Sequence, residues 1–172
     1  MPLTAAPVHV PAPSASTTVA FSLVKGQKPE LVVQKLTELG VDHVVVLDAE
    51  RSVVRWDDKK VASHLDRFRR IMREASMQSH RVRLPTIDAL VPAAEHLSRP
   101  EVAAAHFGGS PITAEHRSIA IGPEGGWSPA EVAVVGARTV TLGATVLRAE
   151  TAAIAAGTLL SATTVMGSSD PV

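Results

Sequence analysis

Two short stretches of the sequence combine residues that let a ligand approach the main chain. Gly122-Pro-Glu-Gly-Gly126, followed by Trp127, Ser128, Pro129 and Glu131, comes after an apolar segment and opens a helix. About twenty residues on, Leu142-Gly143-Ala-Thr-Val-Leu147-Arg148-Ala-Glu150-Thr151-Ala152 repeats the passage from strand through turn to helix. Glycine removes the Cβ that holds a ligand off the backbone, and strand-to-helix turns are where open α/β sheets bind ligands, so the pair suggests one shared pocket. The first turn has neither the Lys-Ser/Thr of a phosphate-binding P-loop nor the three-glycine spacing of a dinucleotide fingerprint. Read alone it also fits a tight turn that merely needs glycine.

The elements that must position these turns alternate. Thr17 to Val24 reads as a buried strand, and Lys25-Gly26 turns the chain toward Pro29, which suits a first helical turn. Leu31, Val32, Leu36 and Leu39 recur at helical spacing as far as Gly40, and Val41 to Leu47 is a second buried strand. Asp57 to Ser79 is a long amphipathic helix whose inner stripe is Val61, Leu65, Phe68, Ile71, Met72 and Ala75. Its Lys59, Lys60, Arg67, Arg69, Arg70 and Arg73 fit a solvated face or an anionic partner. Pro85 to Ser98 reads as a short strand and a short helix, and Glu101 to Phe107 as a core strand ending in a Gly108-Gly109-Ser110-Pro111 loop. Ser118 to Ile121 and Thr139 to Leu142 are strands. Ser128 to Glu131 is a capping box with proline at the first helical position. Glu150 to Met166 is an alanine-rich helix suited to close packing, within the subunit or against a copy. The sum is an α/β fold, a mainly parallel sheet with helices on both faces.

A chain of 172 residues with 45% hydrophobic content fits one such domain. Seventeen basic and seventeen acidic residues balance, which argues against a uniformly basic nucleic-acid binder, and the absence of cysteine excludes disulfides and thiolate metal sites. Residues 1–16, with Pro2, Pro7, Pro11 and Pro13, read as an extended Pro/Ala/Ser-rich linker, neither a secretory signal nor a membrane anchor. Residues 17–167 make the domain and 168–172 a tail. A soluble, cytoplasmic protein is expected.

Ile121-Gly-Pro-Glu-Gly-Gly126, Leu142-Gly143 and Leu147-Arg148-Ala-Glu150-Thr151-Ala152 together resemble the paired signature of the SPOUT methyltransferases. More closely, the chain is similar to the bacterial 16S ribosomal RNA uridine N3-methyltransferases, the RsmE family. Gln34-Lys35-Leu36-Thr37-Glu38-Leu39-Gly40-Val41, Glu50-Arg51-Ser52, and Gln78-Ser79 with Arg81 and Pro85 extend the likeness, in order, from about Thr17 to Met166. The resemblance implies a deep C-terminal trefoil knot, S-adenosylmethionine bound between knot loops, and a homodimer. It implies methylation of 16S ribosomal RNA, in an assembled small subunit, without a metal, because the sulfonium already activates the methyl group.

On that basis the cofactor residues are His106, Ile121, Gly122, Pro123, Glu124, Gly125, Gly126, Leu142, Gly143 and Leu147. Glu124 reads either as a ligand of the ribose or sulfonium or as a brace of its own loop, and His106 either as a pocket residue or as a structural one. Uridine N3 attacks a methyl group only after losing its imide proton, and a nearby cation would favour the resulting anion. Arg148 is the first candidate, its other reading being a salt bridge to Glu150 or Glu124. Glu150 is a weaker candidate base, since a helix N-terminus stabilises its anion. Glu50, Arg51, Gln78, Arg81 and Arg83 are expected as a set on the RNA-facing rim. Two departures stand out: full family members carry an N-terminal barrel similar to PUA domains where this chain shows the linker, and Met77-Gln78-Ser79-His80-Arg81 differs from the usual pattern. They leave room for a dimeric cofactor-binding domain without methylation activity, or for a related knotted enzyme acting on transfer RNA.

Overall fold

The computed structural model describes residues 15–23 and 28–167. The expected linker, apart from Ala15 and Ser16, the end of the first strand at Val24, the Lys25-Gly26 turn and the tail from 168 lie outside the described residues. The elements are β1 (Thr18–Ser22), α1 (Lys28–Glu38), β2 (His43–Asp48), α2 (Asp58–Gln78), β3 (Thr86–Pro92) and α3 (Ala93–Leu97). Then come β4 (Val102–Pro111), β5 (Ser118–Ile121), α4 (Pro129–Val135), β6 (Thr139–Thr141) and α5 (Ala149–Gly167). The sheet has six strands in the order β3-β2-β1-β5-β4-β6, and every described pairing is parallel. No helix among the described residues is long and apolar enough to cross a membrane.

The strands read as continuous apolar runs because both faces of the sheet are covered. Val19, Phe21, Val44, Val46, Ile119 and Ile121 face α1, α2 and α5, while Ala20, Val45, Leu47, Ala104 and Ala120 face α3 and α4. Helix α1 buries Pro29, Val32, Val33, Leu36 and Thr37, the i, i+3, i+4 stripe of one face. Leu31, expected on that stripe, is 43% exposed, one step out of phase. Helix α2 starts where Asp57 accepts from the Lys60 N–H, 2.9 Å, and its described core residues are Phe68, Met72 and Ala75. The alanine-rich α5 packs inside the subunit, burying Ala152, Ala153, Ala156 and Leu160, with the Ser161 hydroxyl donating to Leu39 O at the end of α1.

The Gly108-Gly109-Ser110-Pro111 segment is not a loop: β4 runs through it. The ladder with β6 slips between Ala105 and Ser110, both of which lie opposite Val140. Gly109 makes the return possible, because a Cβ there would sit 2.7 Å from the Val140 backbone. Such a bulge re-aims side chains, and here it carries His106 and Phe107 out of the ladder. Gly109→Ala is therefore expected to push β6 from β4 and to cost about 1–3 kcal/mol, read as a lower urea midpoint with unchanged slope.

On the other face, His96 of α3 is 1% exposed and neither ring nitrogen has a hydrogen-bond partner. Burial, with the Arg99 charge adding to it, pushes its pKa down from 6.5 to about 4. Between those values the unfolded chain binds the proton and the folded chain does not. The fold is thus at full stability above pH 6.5 and loses it as pH falls toward 4. Allowing for relaxation and water entry, the loss is on the order of 1–2 kcal/mol. Thermal unfolding across that range should show it, and His96→Leu should flatten the dependence.

Candidate functional site

In a parallel sheet all strands deliver their carboxyl ends to one edge, and ligands bind there near the point where strand order reverses. The reversal falls between β1 and β5. A cavity of about 630 Å³ opens beside it, walled by the segment after β5, the segment after β6, the bulge of β4 and the start of α5. The two turns singled out in the sequence thus meet in one space. Among the expected cofactor residues, His106, Ile121, Gly122, Pro123, Glu124, Gly126, Leu142, Gly143 and Leu147 line it, while Gly125 does not, a Cβ there lying 3.6 Å from the Arg51 Cβ.

Each turn has a visible local cause. At Gly122 a Cβ would lie 3.0 Å from the Trp127 indole, which is 7% exposed and donates Nε1–H to Ala105 O at 3.2 Å. The ring thereby ties the turn to the bulge of β4. Gly126 adopts φ +71° and returns its N–H to Pro123 O, 2.8 Å. The capping box is present as expected: the Ser128 hydroxyl accepts from Glu131 N–H, 3.2 Å, and Glu131 accepts from Ser128 N–H, 2.8 Å. The second Glu131 oxygen accepts from the Glu50 N–H, 3.0 Å, fastening the end of β2 to the start of α4. At the second turn the Thr141 hydroxyl donates to Gly143 O, 3.0 Å.

The charged candidates separate. Arg148 lines the cavity, is exposed, and makes no hydrogen bond or ion pair with any described residue; only its carbonyl is engaged, accepting Ala152 N–H at 2.8 Å. The alternative salt bridge to Glu150 or Glu124 is absent among the described residues. Glu150 is paired instead with Lys28 of α1, 2.8 Å, a contact no sequence pattern signals. That hydrogen bond, first among the causes, holds the Glu150 carboxyl below its usual range. Its Oε2 is buried and has no partner. The Glu124 carboxylate is exposed on the cavity wall and likewise makes no bond to its own loop. His106 donates Nδ1–H to Phe107 O, 2.8 Å, which leaves Nε2 as the acceptor of the neutral ring.

The expected RNA-facing set does not share one rim. Arg51 lines the cavity and donates to Gly125 O and Trp127 O, both 3.2 Å, with Glu50 beside it past the carboxyl end of β2. Arg81 lies at the opposite end, donating to Thr37 O, Val41 O and Asp42 just before β2. Burial lowers its pKa, partly offset by Asp42. Gln78 and Arg83 flank it in sequence at the end of α2 and just beyond, and Gln78 lines a groove between α1 and α2. The helix is the reason: twenty-one residues at 1.5 Å each carry the chain about 30 Å back to the amino edge of the sheet. Of the α2 cations, Lys60, Arg67 and Arg69 have partners in Asp57, Glu30 and Asp66.

A family model described as an RNA methyltransferase domain matches residues 11–161. The ribosomal RNA small subunit methyltransferase E of Mycobacterium bovis is 34% identical over 169 residues, covering 86% of this chain and 63% of its own length. A methyltransferase from Legionella pneumophila, solved with the cofactor SAM bound, is 30% identical with a TM-score of 0.77, over 86% of this chain and 66% of that one. The ribosomal RNA small subunit methyltransferase E of Neisseria gonorrhoeae, bound to S-adenosyl methionine, is 28% identical with a TM-score of 0.71, over 84% and 64%. This chain spans less than two thirds of the length of the Mycobacterium relative.

Replacing Glu131 by Ala strips two N–H groups, those of Ser128 and Glu50, of their acceptor. A loss of about 2–4 kcal/mol is expected in urea unfolding. Glu131→Gln, which keeps an acceptor but not both, should fall between it and the parent.

Proposed function

Because this chain belongs to the RNA methyltransferase domain family, we propose that it transfers a methyl group from S-adenosylmethionine to N3 of a uridine in 16S ribosomal RNA. The observation that carries the proposal is the convergence of both glycine turns on one cavity whose wall includes an arginine, Arg148, in no ion pair with a described residue. The Mycobacterium and Neisseria relatives, each named a ribosomal RNA small subunit methyltransferase, support the substrate.

The residues present fit the cofactor. A cavity of about 630 Å³ is the size of a small-ligand site, and Ile121, Leu142 and Leu147 offer apolar surface to an adenine. Glu124, with no partner among the described residues, suits a ribose hydroxyl or a positive charge. When bound, S-adenosylmethionine supplies an activated methyl group. The chain's own part is to align the acceptor, exclude water and favour the deprotonated base. Arg148 does the last: a guanidinium that forms no ion pair with a described carboxylate stabilises negative charge on the uridine imide and so lowers its pKa. Glu150, bound to Lys28, is a poor proton acceptor, and its role is to anchor the first turn of α5, which Arg148 immediately precedes. The proposal extends to a C-terminal trefoil knot, a homodimer, and action on the small subunit in the cytoplasm, without a metal.

Calorimetry with S-adenosylmethionine, and methyl transfer to small subunits lacking the modification, test the reading. Arg148→Ala should keep cofactor affinity within a few-fold and lower the transfer rate by about 10²–10³. No binding at millimolar cofactor, or a methyl group mapped to another atom, overturns it.

A further inference from the structure

The glycine turn after β5 has little of its own to hold it. Between residues 122 and 127 the backbone closes one hydrogen bond on itself, Gly126 N–H to Pro123 O. Gly125 and Gly126 stand side by side, and adjacent glycines have the most conformational freedom to lose on ordering. The Arg51 guanidinium spans them: Nη1 donates to Gly125 O on one side and to Trp127 O on the other, both 3.2 Å.

Arg51 is itself held. Ser52 N–H closes a turn onto Ala49 O, 3.0 Å, Arg55 donates to Glu50 O, 3.1 Å, and pairs with Asp48, and Glu50 N–H is bound by Glu131. Because Glu131 also caps the helix that the glycine turn opens, the contacts close a ring. It runs from Arg51 through Gly125 and Trp127 to Ser128 and Glu131, then back through Glu50. A side chain bonded twice into a loop that walls the cavity sets the shape of that wall.

Resting on the methyltransferase reading, we infer that Arg51 is a positioning residue for the cofactor loop rather than a contact for RNA. It holds the backbone of 122–127 in the binding geometry before the cofactor arrives, so that ordering need not be supplied at binding. The residue is exposed, which predicts that its removal acts on the loop more than on global stability.

The test compares parent, Arg51→Ala and Arg51→Lys by calorimetry with S-adenosylmethionine, by thermal unfolding, and by amide hydrogen exchange in the free protein. Arg51→Ala should bind cofactor about tenfold more weakly, with nearly unchanged unfolding and faster exchange at the Gly126 amide, whose N–H is the one bonded within the turn. Arg51→Lys, which keeps the donor charge, should recover part of the affinity. Parent-like affinity in Arg51→Ala overturns the inference, as does unchanged loop exchange. If Arg51→Ala does not fold, the lysine variant decides: parent-like affinity and exchange overturn the inference. A parent protein that binds no cofactor refutes the proposed function instead, and the exchange comparison still judges the role of Arg51.

Discussion

The Glu131 carboxylate is the contact on which the site depends. It is 4% exposed, yet both oxygens are used, one by Ser128 N–H at the start of α4 and one by Glu50 N–H after β2. A buried carboxylate is tolerated only when donors replace its water, and two backbone amides do so here. Since those amides belong to segments 78 residues apart, satisfying the charge forces the end of β2 against the turn after β5. Arg51 is delivered to the glycine turn as a result, and the Trp127 ring, wedged beneath Gly122 and bonded to Ala105, joins the β4 bulge to the same assembly.

The cavity is then a product of topology. Parallel strands gather the segments after β2, β5 and β6 at one edge, and the slip in the β4 ladder adds His106 and Phe107 to the wall. Charge is distributed unequally around it. The Arg148 side chain lines it and makes no hydrogen bond or ion pair with a described residue, while Glu150, two residues on and outside the lining, is committed to Lys28. An unpaired arginine beside an apolar wall can act on the charge of a ligand, whereas a paired one only braces the fold.

The helices and inner strands were legible because their signals are local. Asp57 and Ser79 cap α2 at both ends, Ser128 and Glu131 form the capping box, and the apolar runs of β1, β2 and β5 stand where expected. The segment 108–111 misled because glycine and proline usually mark a loop, while here Gly109 serves a close approach of β4 to β6 that only the paired strand reveals. Leu31 misled for a similar reason: its neighbours allow two phasings of the stripe, and the partners α2 and α5 chose the one that buries Val33.

The sequence by itself determined the element order, the parallel α/β class and the two glycine turns with their family likeness, since periodicity, caps and motif spacing depend only on neighbours along the chain. Tertiary structure alone decided the partners of the charges. It gave Lys28 to Glu150, left Arg148 without an ion pair among the described residues, laid Arg51 on the glycine turn after β5 and sent Arg81 to the far edge beside Asp42. Ion pairs and hydrogen bonds act over a few ångströms in space, and the distances that set them arise only when strands remote in sequence are laid side by side.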